Sequence, residues 1–190
     1  MTTRQQFFLG RYPTPRQLLL DYTPDRQPSF SRFPQKCLEG NVPTLADIRA
    51  IFGARWAETW LEAQLKDISE YAGAQVKAND CQLEETARII LEEFYFLKLS
   101  ELMLFFFHFK AGRYGRFYGS VDPLVITGAL QDFIRWRRTK LEYFENQRQA
   151  ILLQQRPLKD PDAITYEEWT ELSWLYNLGY ERNPITGKIP

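Results

Sequence analysis

Residues 99–110, LSELMLFFFHFK, constrain the fold of this chain more than any other segment. As a helix, Leu102, Met103, Leu104, Phe105, Phe106, Phe107 and Phe109 leave almost no polar face. A surface helix shows one apolar stripe, whereas a helix that is apolar all round needs neighbours on every side. A buried strand is the competing reading for so short a run, but the flanking helix formers favour a helix at the centre of a bundle. The run from Leu102 to Phe107 is far shorter than the ~20 residues that cross a bilayer, so no membrane span is expected.

The segments around it carry helical periodicity. Thr44 caps a short helix with Leu45, Ile48 and Ile51-Phe52 on one face, and Gly53 ends it. A second helix over 54–72 sets Ala57, Trp60, Leu61, Gln64, Leu65 and Ile68 on a stripe, with Gly73 as its stop. A third over 82–97 repeats Leu83, Ala87, Ile90, Phe94 and Leu97 at steps of four and three. After the 99–110 helix and a glycine loop, Asp122 caps a long helix with Pro123 in its first turn. Leu130, Ile134, Leu141, Phe144 and Ile151 follow a heptad-like seam along it, interrupted by Arg137 and Arg148. Continuous to residue 154, this helix would run on the order of 50 Å, long enough for its second half to dock a partner or a second copy.

The ends read differently. Residues 1–43 are rich in proline and polar side chains, and are expected to form an extended arm. One short helix interrupts it, capped by Thr14 with Pro15 following. Residues 156–163 form a polar linker, after which Thr165 and Glu168 make a capping box for a last helix through Leu178. The organisation is thus an arm over 1–43, a helical core over 44–155, and a linker, helix and tail over 156–190.

The net charge is zero, with 24 basic and 24 acidic residues, but the charges fall in blocks. Ten acids face four bases from Glu58 to Glu101, and seven bases face two acids from Lys110 to Lys140. Opposed blocks of this kind either neutralise each other across the fold or leave a local field. Cys37 and Cys81 lie too far apart in sequence to read as a disulfide framework or a zinc knuckle. No secretory leader is visible, and a cytoplasmic location is expected.

The loop 111–121 joins glycines at 112, 115 and 119 to Arg113, Tyr114, Arg116, Phe117 and Tyr118. Glycine permits sharp turns, the guanidinium groups suit phosphates, and flat rings suit unstacked bases. The loop has neither the dinucleotide fingerprint nor the lysine of a phosphate-binding loop. Its G-R-Y-G string matches the four-residue loop of KH domains, but without the flanking strands that fold needs. A small β-hairpin through Tyr114 to Tyr118 is compatible with it. His108, the only histidine, reads as a satisfied core or boundary residue. One histidine and two distant cysteines make no metal site, and adjacent glutamates on a helix diverge, so no catalytic dyad is formed. No metal, cofactor or catalytic residue is expected.

The run F-K-A-G-R-Y-G-R-F-Y-G-S-V-D-P-L-V-I-T-G-A-L-Q-D-F from Phe109 to Phe133, with L-K-L-S-E-L from Leu97 to Leu102, resembles an uncharacterised protein family of Bacteroidetes. Its members occur around prophages and other mobile elements. The resemblance covers roughly residues 45–145, leaving out the arm and the last helix. The family has no assigned activity, so the resemblance implies genomic company and not a reaction.

The expectation is an all-α bundle of five or six helices with an extended N-terminal arm and a basic-aromatic loop. Its expected role is that of a non-enzymatic accessory or adaptor protein of a mobile element. Arg113, Tyr114, Arg116, Tyr118, Arg135 and Arg138 would contact single-stranded DNA or RNA. The alternative is a protein-interaction module without nucleic acid, docking a partner or itself through the acidic helices or the helix after Asp122.

Overall fold

The computed structural model of the chain describes residues 1–115, 117, 121–155 and 165–177. Its elements are α1 (Thr3–Arg11), α2 (Pro15–Asp21), a 3₁₀ turn (Pro24–Arg26), α3 (Gln27–Ser31), α4 (Pro34–Glu39), α5 (Leu45–Phe52), α6 (Ala54–Tyr71), α7 (Asp80–Glu93), α8 (Leu99–Lys110), α9 (Pro123–Gln155) and α10 (Tyr166–Asn177). The fold is all-α. Among the described residues the only strand-like pairing is a single antiparallel bridge between Thr44 and Lys98. The chain forms two compact units, Met1–Glu145 and Asn146–Pro190.

α8 is the centre of the first unit. Leu99, Leu102, Met103, Leu104, Phe105 and Phe106 are fully enclosed. Phe106 meets Trp60 of α6 edge-on at 6.3 Å, and Phe105 meets Phe133 of α9 at 5.6 Å. The predicted stripe of α6 (Ala57, Trp60, Leu61, Gln64, Leu65, Ile68) is buried in full, as are Leu83, Ala87 and Ile90 of α7. Backbone bonds lace the start of α5 to the link between α7 and α8: Leu45 N donates to Leu97 O at 3.0 Å, and Leu99 N donates to Pro43 O at 3.0 Å. These bonds end α7 at Glu93, four residues before the expected stop, because the carbonyls of Tyr95 and Leu97 turn to α5.

The expected extended arm is absent. Residues 3–39 fold into four short helices and a 3₁₀ turn, and they bury Phe8, Tyr12, Leu18, Tyr22, Cys37 and Leu38. Pro15, Pro28 and Pro34 sit where a helix tolerates them, in the first turns of α2, α3 and α4, and Pro24 opens the 3₁₀ turn. Each helix is too short to display a period, so the burial pattern becomes readable only once the helices lie on α5, α6 and α8. The attachment is also polar. Tyr22 O accepts from Trp60 Nε1 at 2.8 Å and from Gln64 Nε2 at 2.9 Å, and Gln27 Nε2 donates to Gln64 Oε1 at 2.7 Å. Arg4 Nε pairs with Asp47 Oδ2 at 3.0 Å, and that carboxylate also caps α5 through the Thr44 backbone.

In the second unit, Thr165 and Glu168 form the expected capping box of α10. The expected end of that helix at Leu178 lies outside the described residues.

Candidate functional site

α8 ends in a Schellman turn. Gly112 takes φ 76°, Gly112 N donates to Phe109 O at 2.9 Å, and Arg113 N donates to His108 O at 3.1 Å. A side chain at Gly112 would be strained in that left-handed conformation. The turn places Arg113 directly after the end of the helix, next to His108.

Beyond this turn Tyr114 and Phe117 face inward. The Tyr114 ring stacks on Phe105 with centroids 5.6 Å apart, and Phe117 packs against Phe109 at 5.5 Å. Burial pushes the Tyr114 hydroxyl up to about 12. Tyr114, expected as a surface platform for bases, is therefore a half-buried wedge in the core. The apolar ring gains more from Phe105 than from water. Arg116 and Tyr118, and with them the hairpin through Tyr114 to Tyr118, lie outside the described residues.

The α9 cations are largely engaged. Arg135 pairs with Asp132 one turn back, and Arg138 lies 3.9 Å from Glu142 one turn on; both are exposed. Arg137 Nε donates to Glu101 Oε1 on α8 at 2.8 Å. Exposed pairs of the first kind are weak and exchange with water, so Arg135 and Arg138 are available at little cost; Arg137 is not.

One place does gather cations and rings. A cleft of about 640 Å³ is lined by Ser31, Pro34 and Gln35 from the N-terminal helices, Phe107 and His108 from α8, Arg113 from the loop, and Trp136, Lys140 and Phe144 from α9. Among the described residues no carboxylate lines it. Arg113 is exposed and makes no ion pair among the described residues. His108 forms part of the wall, only 3% exposed, with its ring edge-on to Trp136 at 5.2 Å. Its Nδ1 has no hydrogen-bond partner among the described residues, where the sequence leads one to expect a satisfied histidine. Burial, and then the charge of Arg113, pushes its pKa down to about 4, which leaves the imidazole neutral near pH 7. No cluster of three metal-ligating side chains occurs among the described residues.

Of the six residues expected to bind, the structure brings Arg113 to the cleft, turns Tyr114 away, and leaves Arg135 and Arg138 on exposed α9 positions in local ion pairs. Sequence reasoning missed Trp136, Lys140 and Phe144 as a set. Their spacing of four residues, on one face of a helix, was the available signal. Ser31, Pro34 and Gln35 carried none.

A profile of a family of unknown function, DUF6633, matches residues 77–177. The chain belongs to this family. No curated protein and no solved structure matches the chain. The DUF6633 region runs from the approach to α7 through α10, further toward the C-terminus than the 45–145 stretch read from the sequence, and includes the last helix. It contains the cleft residues of α8, the loop and α9, while Ser31, Pro34 and Gln35 come from outside it.

Proposed function

We propose that this DUF6633 protein is a non-enzymatic, cytoplasmic accessory or adaptor protein of a mobile element, of the kind found in Bacteroidetes prophages, and that it binds single-stranded nucleic acid. The observation that carries the reading is the cleft that Arg113, Lys140 and Trp136 line together, with no carboxylate among its described residues. Cations attract phosphates and a flat ring stacks on bases of any sequence. Arg116 and Tyr118, with the exposed Arg135 and Arg138 of α9, are proposed as further contacts to the strand. The test is fluorescence anisotropy of a labelled deoxythymidine or uridine 20-mer with the full chain. Saturable binding that falls at least tenfold in an Arg113→Ala/Lys140→Ala variant is expected. Unchanged affinity in that variant removes the cleft from the reading, and no binding by the parent chain ends it.

A second reading, a protein-interaction module, is favoured by a different observation. In the second unit Ile151, Leu152, Leu153, Tyr166, Trp169 and Trp174 are all more than half exposed. Large apolar side chains in such number mark interaction surfaces more often than free surface. Light scattering tests self-association: a concentration-independent monomer mass counts against it.

A further inference from the structure

We infer that the cleft is a pocket for one nucleotide unit, seating a phosphate at Arg113 and Lys140 and a base against Trp136, so that a strand is held at a single nucleotide and not along a groove. This rests on the nucleic-acid reading above and specifies its ligand.

Two features support it. The volume of about 640 Å³ lies inside the range of small-molecule sites. The walls are chemically divided: Phe107, Trp136 and Phe144 supply apolar and flat surface, while Arg113 and Lys140 supply charge. That division matches a nucleotide, which carries a flat base at one end and an anion at the other.

The inference sets a salt dependence. A site that neutralises one or two phosphates of a single strand has a log–log slope of roughly −0.7 to −1.4. Affinity then falls only about 3- to 7-fold between 50 and 200 mM salt, against roughly 300-fold or more for a protein that tracks six or more phosphates of a single strand.

The experiment titrates the full chain with adenosine 5′-monophosphate, uridine 5′-monophosphate, the unphosphorylated nucleosides and inorganic phosphate by calorimetry. The mononucleotides are then used to displace the labelled 20-mer. The expected result is that a mononucleotide binds, binds more tightly than nucleoside or phosphate alone, and displaces the 20-mer. Its affinity drops at least tenfold in both Arg113→Ala and Lys140→Glu, with helicity by circular dichroism unchanged. A 20-mer that binds but resists displacement by millimolar mononucleotide, or loses affinity roughly 300-fold or more between 50 and 200 mM salt, overturns the single-nucleotide pocket and leaves the nucleic-acid reading standing. Binding of mononucleotide without the 20-mer sustains the pocket and removes the strand. Failure of both ligands overturns both.

Discussion

Arg137 on α9 donates through Nε to Glu101 on α8 at 2.8 Å, and the carboxylate it meets is completely sealed from solvent. The other oxygen of Glu101 accepts from the Lys98 backbone N–H at 3.0 Å. An arginine that belongs to the basic block of the sequence is thereby committed to the interior. Removing it strands a buried charge. Arg137→Ala is expected to destabilise the protein by about 3–5 kcal/mol, read by urea denaturation. Pairing it with Glu101→Leu should recover most of that loss, because the charge needing compensation is then gone. Equal stability of the single and parent proteins would show the pair to be solvated.

His108 sets a pH dependence. Its pKa is lowered to about 4 in the folded protein by burial and by Arg113, from an ordinary value of 6.5. The unfolded chain therefore binds the extra proton first. As pH falls from about 6.5 through about 4, the folded state loses on the order of 3 kcal/mol from this group, and above that window the contribution is intact. A His108→Gln variant should lack this part of the acid slope in denaturation midpoints between pH 7 and pH 4. An identical slope in the variant would assign the loss to other groups.

Tyr114 and Arg113 are neighbours with opposite roles. Tyr114 rests on Phe105, so Tyr114→Ala should cost about 2 kcal/mol of stability while leaving oligonucleotide affinity nearly unchanged in the folded fraction. Arg113 is exposed, so Arg113→Ala should alter stability by less than about 0.5 kcal/mol and act on binding instead. Thermal melts and anisotropy on the two variants separate the effects. A Tyr114→Ala protein that melts normally but fails to bind would restore the ring as a base platform.

The N-terminal helices are structural. Deleting residues 1–43 uncovers the surfaces of α5, α6 and α8 on which Phe8, Leu18, Tyr22 and Leu38 lie, and removes the acceptor of Trp60 and Gln64. The truncated chain is expected to lose cooperative thermal unfolding and to aggregate. A sharp melt near the parent temperature would return these residues to the status of a dispensable arm.

Along the middle of the chain the sequence alone determined much of the architecture. The caps at Thr14, Thr44, Asp122 and Thr165, the stops at Gly53 and Gly73, the buried stripe of α6 and the centrality of α8 are all local or periodic signals. Hydrogen bonds to a helix end, or side chains three and four apart, do not depend on what the rest of the chain is doing. Tertiary structure decided the remainder. Whether Arg113 faces solvent while Arg137 is spent on Glu101, whether Tyr114 turns outward or onto Phe105, and whether a proline-rich segment becomes an arm or a set of docked helices each depend on residues tens of positions away. A side chain's charge and shape are written in its own codon, but its desolvation and its partners are properties of the packed whole, and those select which cations remain free to bind.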